Sequence, residues 1–142
     1  MNNKMSRDQY QYYYPVQTRW SDNDIYGHVN NVQYYSYFDS AVNRYLIEHG
    51  GLDIHHSPVV GYVVESKCRY FSPIAYPEKL EIGIRVAKLG NSAVTYELGL
   101  FKVGEDMPSA EGYFVHVFVN KQTNQSVSIP EQLRSALEAL TF

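Results

Sequence analysis

Cysteine is almost absent from this chain, whose 142 residues include only Cys68. A single cysteine cannot form an internal disulfide, so we expect a fold without covalent cross-links in a reducing compartment, the cytoplasm. Positive charge is also scarce, since 12 Lys and Arg stand against 15 Asp and Glu, and the net charge is −3. Such a chain has no basic field with which to bind a phosphate backbone, so we expect no nucleic-acid partner.

Long apolar runs are missing as well. Residues 1–20 contain no apolar stretch of the kind found in signal peptides, and no later segment is long enough to span a bilayer, so we expect no membrane association. A content of 44% hydrophobic and 19% charged residues is ordinary for a globular protein. We therefore expect residues 1–142 to form a single domain, with a core over roughly residues 12–140.

Tyrosine, by contrast, is abundant, with 14 copies against six phenylalanines and one tryptophan. A tyrosine buries a large ring, while its hydroxyl still needs a hydrogen-bond partner. This composition indicates a core or an interface that contains many polar groups.

Apolar periodicity predicts one strand, one long helix, four further strands and a terminal helix. The predicted elements cover residues 14–20, 32–49, 59–71, 80–87, 94–100, 113–119 and 130–140. The connectors between the later strands are short and polar, which indicates antiparallel neighbours. One sheet and one long helix form an α+β structure, in which the sheet must curl around the helix to bury it.

The long helix carries two adjacent apolar stripes, which together are wider than the face of an ordinary amphipathic helix. This pattern indicates burial on several sides. It places Asp39 among apolar side chains, where we expect its carboxylate to accept a hydrogen bond from a tyrosine hydroxyl or to face the active site. Asn30 or Asn31 can cap the start of the helix, and Gly50-Gly51 can end it.

Two carboxylates, a glycine, a histidine and two asparagines lie together just before this helix, in the run Asp22-Asn23-Asp24-Ile25-Tyr26-Gly27-His28-Val29-Asn30-Asn31. A carboxylate can activate water or attack a carbonyl carbon directly. The free backbone N–H groups at a helix N-terminus can stabilise the negative charge that develops on the carbonyl oxygen. The run therefore combines a reactive group with the start of a helix.

This motif and the order of the elements resemble the hotdog-fold acyl-CoA thioesterases of the 4-hydroxybenzoyl-CoA thioesterase-like family. The local match runs from Trp20-Ser21-Asp22-Asn23-Asp24 through Gly27-His28-Val29-Asn30-Asn31 to Tyr34. The His-Val-Asn-Asn run is also similar to that of acyl-carrier-protein thioesterases. The resemblance implies the hotdog fold, an antiparallel five-stranded sheet wrapped around a long central helix.

The resemblance places the catalytic carboxylate on Asp24 and the N–H that polarises the thioester carbonyl on Asn31. His28 is a further catalytic candidate, because it could orient Asp24, donate to the thioester or pair with another loop residue. Asp24 could instead cap the turn that enters the helix. We interpret Asp22 as a turn or ion-pair carboxylate, and Gly27 as a residue required by a tight turn or by the close approach of substrate.

Substrate binding is expected at two places. Gly27 and Tyr34 lie next to the catalytic residues in the sequence. The resemblance implies that the groups of coenzyme A are bound in part by basic and hydroxyl side chains at the turn between the third and fourth strands, where this chain offers Lys88, Asn91 and Ser92. Only one of these three is basic, which leaves acyl carrier protein open as an alternative carrier of the acyl group.

The other reactive groups match no catalytic pattern. The spacing of Asp22, Asp24 and His28 fits no zinc or calcium motif, so we predict no metal site. Cys68 lies in mid-strand without an evident base and is interpreted as a small core residue. The sequence around Ser92 lacks the second glycine of a Gly-x-Ser-x-Gly elbow.

We therefore expect an enzyme that hydrolyses an acyl-CoA thioester without a metal or redox cofactor, with coenzyme A entering as part of the substrate. The resemblance implies a homodimer joined through its sheet edges, or a homotetramer, and such pairing would cover an exposed strand edge. Two alternatives remain open. One is a non-catalytic hotdog domain that binds acyl thioesters as a sensor or scaffold, and the other is an acyl-carrier-protein thioesterase.

Overall fold

The computed structural model describes residues 4–142; residues 1–3, which belong to the predicted domain and to its N-terminal stretch, lie outside the described residues. The elements are β1 (Tyr12–Gln17), α1 (Asn31–Gly50), β2 (Val59–Tyr70), β3 (Lys79–Leu89), β4 (Ala93–Lys102), β5 (Ala110–Asn120) and α2 (Glu131–Glu138), with 3₁₀ turns at Arg7–Gln9 and Trp20–Asp22. The strands form one antiparallel sheet in the order β1-β3-β4-β5-β2. The predicted hotdog fold is confirmed.

The core lies between α1 and the concave face of the sheet. Phe38 of α1 is fully buried, and a Cβ atom placed on Gly112 of β5 would lie only 2.7 Å from its ring. The missing side chain at Gly112 therefore lets the helix approach the sheet closely. Alternate residues of β3 and β4 complete this core, namely Leu80, Ile82, Ile84, Val86, Val94, Tyr96, Leu98 and Leu100.

Both ends of α1 follow from local sequence. The side chain of Asn30 accepts a hydrogen bond from the Val32 N–H at 3.0 Å, which satisfies one of the free donors of the first turn. At the other end Gly51 has a φ of 69°, the left-handed conformation that ends many helices. Both features were predicted from the sequence.

The burial of α1 differs from the prediction. Val32 is 66% exposed, and Asp39, which we expected among apolar side chains, lies in solvent and accepts a hydrogen bond from the side chain of Asn43. The prediction for Asp39 is therefore wrong. Asp39 is exposed because a single sheet covers only one side of the helix. The second apolar stripe is therefore only partly buried within one chain.

The first strand is also shorter than predicted. Gln17 is the last residue of β1 and pairs with Lys79, the first residue of β3. Beyond this pair the strand ladder is replaced by a single backbone hydrogen bond, from the Thr18 N–H to the Glu78 carbonyl oxygen at 3.4 Å. The chain then turns at Trp20–Asp22, within the predicted strand, and the Trp20 side chain is 75% exposed.

The β2 strand forms one edge of the sheet and pairs only with β5. Its side chains are exposed over most of its length, including Val63 and Val64, and the pairing register shifts between Val63 and Glu65. A long edge strand without proline presents unpaired N–H and C=O groups to solvent. A second copy of the chain could use this edge.

One ionisable group is buried in the core without a charged partner. His116 of β5 is 2% exposed and packs edge-on against the Tyr96 ring, with 5.0 Å between the ring centroids. Its Nδ1 atom has no hydrogen-bond partner among residues 4–142. Burial lowers the pKa of His116 to about 4, because the charged imidazolium is poorly solvated there.

This low pKa predicts a loss of stability in mild acid. The unfolded chain takes up a proton on His116 as the pH falls below about 6.5, whereas the folded chain does so only near pH 4. The free energy of unfolding should thus fall by ~3 kcal/mol over this range from this residue alone. Urea unfolding of wild type, His116→Phe and the exposed-site control His55→Phe at pH 4 to 7 measures the effect. A pH dependence that is identical in wild type and His116→Phe would contradict it.

Candidate active site

The acidic motif folds as a closed loop between β1 and α1. The Asn30 N–H donates to the Asp22 carbonyl oxygen at 2.9 Å, and Asn23 forms an isolated β-bridge with Val29. The Val29 N–H donates to the Ile74 carbonyl oxygen at 2.8 Å, which fixes the loop against the connection between β2 and β3. The loop is therefore held at its base and along one side.

Asp24 lies in the upper part of this loop. Its N–H donates to the His28 carbonyl oxygen at 2.9 Å, and its Oδ1 accepts a hydrogen bond from the Tyr26 N–H at the same distance. The carboxylate is half-buried, and its Oδ2 accepts no hydrogen bond from residues 4–142. One oxygen thus fixes the side chain, as the turn-capping alternative requires, and the other is available for chemistry.

Gly27 and His28 complete the turn. Gly27 has a φ of 82°, and a Cβ atom there would meet no atom within 4 Å, so the turn requires glycine for its backbone conformation and not for space. The His28 side chain is exposed and makes no hydrogen bond to any described residue. The structure therefore brings His28 near Asp24 through the backbone but does not show it orienting the carboxylate.

Asn31 is the first residue of α1. The cap residue Asn30 accepts hydrogen bonds from the two residues after Asn31, through its side chain for Val32 and through its carbonyl oxygen for Gln33. The Asn31 N–H has no acceptor in the described part of the chain and lies at the positive end of the helix dipole. It is a free donor at the base of the loop that carries Asp24.

Asp22 has the structural role that the sequence suggested. Its side chain is 1% exposed, its Oδ2 accepts hydrogen bonds from the Tyr37 hydroxyl and the Arg19 N–H, and its Oδ1 lies 3.6 Å from the Arg19 guanidinium. Loss of solvent raises the pKa of the Tyr37 hydroxyl, and its hydrogen bond to the Asp22 carboxylate raises this pKa further. Asp22 is not accessible to a substrate.

The surface around the loop is open and apolar. A depression of about 660 Å³ is lined by Trp20, Ser21, Asn23, Asp24, Ile25 and Gly27. The exposed rings of Trp20 and Tyr76 meet at its border, with 6.1 Å between their centroids. A flexible organic chain could lie in this depression beside the Asp24 carboxylate.

Aromatic side chains also lie beside the first turn of α1. Tyr34 is buried, and its ring meets the half-exposed ring of Tyr70 from β2 edge-on, with 4.8 Å between the centroids. Tyr35 stacks on Phe114 of β5 at 6.2 Å.

Cys68 lies on the same face of β2 as Tyr70, and burial raises the pKa of its thiol to about 11, which disfavours the reactive thiolate.

The three residues predicted at the coenzyme turn lie far from Asp24 within one chain. Lys88 lies near the end of β3, and Asn91 and Ser92 lie in the turn between β3 and β4. The opposite end of β3 begins at Lys79, beside the point where β1 ends and the chain enters the acidic loop. A strand of this length spans about 35 Å. The structure therefore does not bring the two groups of predicted site residues together in one chain.

Sequence reasoning missed one cation at that turn. Arg134 of α2 donates to the carbonyl oxygen of Gly90 at 2.6 Å and to that of Asn91 at 3.2 Å. No local sequence signal could identify Arg134, because α2 reaches the turn only through the tertiary fold. The turn thus carries Lys88 and Arg134, while the side chain of Asn91 already bonds to that of Ser128.

Across residues 4–142, no group of three or more His, Cys, Asp or Glu side chains is arranged to hold a metal ion. Within the same range, no helix is long and apolar enough to cross a membrane.

A family model described as the thioesterase-like superfamily matches residues 18–137, which include the acidic loop, α1 and all strands after it. The chain belongs to this superfamily. The matched region contains both the Asp24 carboxylate and the free Asn31 N–H, so the candidate site lies inside the part of the chain that defines this thioesterase-like protein.

The chain is similar to three further proteins, two of which are named as thioester hydrolases. The crystal structure of the PA5185 protein from Pseudomonas aeruginosa is 56% identical, with a TM-score of 0.96 over 98% of this chain and 97% of that one. The PA2801 protein from the same organism, provisionally named a thioesterase, is 27% identical, with a TM-score of 0.83 over 90% and 98%. The 1,4-dihydroxy-2-naphthoyl-CoA hydrolase of Prochlorococcus marinus is 23% identical over 129 residues, or 85% of each chain.

Proposed function

We propose that this protein hydrolyses the thioester of an acyl-CoA to a carboxylic acid and free coenzyme A. Membership of the superfamily already points to thioester hydrolysis. The observation that carries the proposal is the pairing of an unbonded Asp24 oxygen with a free Asn31 N–H in one loop, whose base is closed by the 2.9 Å bond from Asn30 to Asp22. The first group supplies a base or nucleophile, and the second supplies an oxyanion donor.

Two routes fit this pairing. In the first, Asp24 takes a proton from water, and the resulting hydroxide adds to the thioester carbon. In the second, the carboxylate adds to that carbon itself and the mixed anhydride is then hydrolysed. In both, the oxyanion accepts a hydrogen bond from the Asn31 N–H, the C–S bond breaks, and the leaving thiolate of coenzyme A takes up a proton. No metal or redox cofactor takes part in either route.

Coenzyme A is the carrier that we propose, in preference to acyl carrier protein. Lys88 and Arg134 provide two cations at the β3–β4 turn for the phosphates of the nucleotide. The similar hydrolase of Prochlorococcus marinus is named for a CoA thioester with an aromatic acyl group. The rings of Tyr34, Tyr35, Tyr70 and Phe114 beside the first turn of α1 would also favour an aromatic acyl group.

The β3–β4 turn and Asp24 lie far apart within one chain, but they come close together if two copies pair through β2. The turn lies at the Val59 end of β2, since Val59 pairs with Asn120 and the nearby Phe118 N–H donates to the Ser92 carbonyl oxygen. The Asp24 loop lies at the Tyr70 end. Antiparallel pairing about a two-fold axis brings the Val59 end of one copy to the Tyr70 end of the other. We therefore propose a homodimer in which one copy supplies the catalytic loop and the second supplies the coenzyme turn.

Asp24→Asn tests the reaction. The amide retains an oxygen for the Tyr26 N–H but cannot accept a proton or act as a nucleophile, so kcat should fall about 10²- to 10⁴-fold while acyl-CoA binding persists. Release of free thiol from aromatic, short-chain and long-chain acyl-CoAs measures kcat, and calorimetry measures binding. Asp106→Asn, an exposed carboxylate on the β4–β5 turn, is the matched control.

The same assay separates the alternatives. Wild type that binds acyl-CoA but releases no thiol is a sensor or scaffold. If wild type hydrolyses acyl-carrier-protein thioesters but no CoA thioesters, the carrier is acyl carrier protein. Asp24→Asn with the wild-type rate would show that the carboxylate is assigned wrongly. Because of the aromatic rings beside the first turn of α1, we expect a higher kcat/KM for aromatic than for long-chain acyl groups.

Val64→Lys tests the dimer. Val64 lies on β2, is 60% exposed and would be covered by a second copy, so a lysine there should weaken the dimer at least about tenfold. Val103→Lys is the control, because Val103 is 57% exposed but lies beyond the end of β4. Sedimentation velocity over a range of concentrations measures the dimer dissociation constant. Equal constants for the two variants, or a monomeric wild type, would contradict pairing through β2.

A further inference from the structure

We propose that Asp22 and Tyr37 form a buried brace that holds the Asp24 carboxylate in position relative to the Asn31 N–H. The inference rests on the proposed function and adds two positioning residues to it. Neither side chain is accessible to substrate, since Asp22 is 1% and Tyr37 6% exposed. Both would act through the loop and the helix that carry the reacting groups.

The brace joins three parts of the chain at one residue, Asp22, through its carboxylate and its backbone carbonyl. The Tyr37 hydroxyl of α1 donates to Asp22 Oδ2 at 2.7 Å, and the Arg19 N–H, just after β1, donates to the same oxygen at 2.9 Å. The carbonyl oxygen of Asp22 accepts the Asn30 N–H at 2.9 Å. The end of β1, the body of α1 and the residue that caps α1 are thereby fixed to one another.

This junction sets the geometry of the reacting groups. Asp24 follows Asp22 by two residues, and Asn31 directly follows Asn30, so the bond between Asp22 and Asn30 spans the base of the loop that carries both groups. Tyr37 lies about 9 Å along the helix from Asn31. Its hydroxyl therefore ties the start of the loop to the rigid body that presents the oxyanion donor.

Catalytic rates are sensitive to small displacements of the reacting groups, and the expected effect of the brace follows from this sensitivity. Displacement of a catalytic group by about 1 Å can cost on the order of 10²-fold in rate. Without the Tyr37 hydroxyl, Asp22 Oδ2 keeps only the Arg19 N–H, and the base of the loop loses its side-chain connection to the body of α1 while the backbone bond to Asn30 remains. A purely structural hydrogen bond would instead lower stability and leave the rate of the folded enzyme unchanged.

A pair of tyrosine variants separates the two roles. Tyr45 is also buried on α1 and donates to the Ala136 carbonyl oxygen, far from the acidic loop. Tyr37→Phe and Tyr45→Phe each delete one buried hydroxyl, so both should lower the free energy of unfolding. We expect Tyr37→Phe to lower kcat by about 10- to 100-fold with KM within twofold, whereas Tyr45→Phe keeps the wild-type kcat. Equal kcat in the two variants would overturn the brace.

Substitutions at Asp22 check that geometry and not charge is responsible. Asp22→Asn keeps an acceptor for Tyr37 and Arg19 and should retain most of the wild-type kcat. At low pH its kcat should show the same pH dependence as that of wild type. Asp22→Ala removes the acceptor and should behave like Tyr37→Phe. A shifted pH profile in Asp22→Asn with kcat as low as in Asp22→Ala would show that the charge matters, and the positioning role would be wrong.

Amide hydrogen exchange keeps the brace testable apart from the activity. If wild type hydrolyses no thioester, the proposed function fails, and exchange of the Asn30 N–H still reports on the junction. Faster exchange in Tyr37→Phe than in Tyr45→Phe, after correction for global stability, supports the brace. Equal exchange in the two variants overturns it.

Discussion

The burial of α1 under a single curled sheet is the constraint on which the other features of the structure depend. Phe38 packs onto the bare backbone of Gly112, and the inward side chains of β3 and β4 fill the remaining space. The N-terminus of the helix, at Asn31, is exposed. Its free N–H and its dipole are therefore available to a ligand, while the body of the helix is held rigidly.

The sequence predicted those features that depend on local chemistry. The order of elements, the Asn30 cap and the left-handed Gly51 follow from periodicity and from residue types with strong backbone preferences. The exposure of Trp20 and of Asp39 could not be predicted, because it depends on where the partner strand begins and on which side of the helix the sheet covers. Periodicity shows which residues are apolar, but not whether one chain supplies enough surface to bury them.

The candidate site divides its work between side chains and backbone. Asp24 is the group with chemistry of its own, whereas Gly27 and Asn31 contribute a backbone conformation and a backbone donor. The role of Asn31 comes from the resemblance and stays a proposal, whereas the backbone requirement at Gly27 was inferred from the residue type and agrees with its φ of 82°. The contribution of Arg134 was not predictable, because it lies more than 40 residues from the turn it contacts and no pattern relates the two. Its guanidinium adds a second cation to a turn at which the sequence offered only Lys88.

We propose that the backbone N–H of Asn31, and not its side chain, stabilises the oxyanion beside Asp24. Asn31→Pro tests it most directly: proline is well tolerated at the first position of a helix and Asn30 already has the extended backbone that precedes proline, so the variant removes the donor while keeping α1. Asn31→Ala, which keeps the N–H, is the control. We expect kcat for acyl-CoA hydrolysis to fall about 10²- to 10³-fold in Asn31→Pro and to stay near the wild-type value in Asn31→Ala. A folded Asn31→Pro enzyme with the wild-type kcat would contradict it.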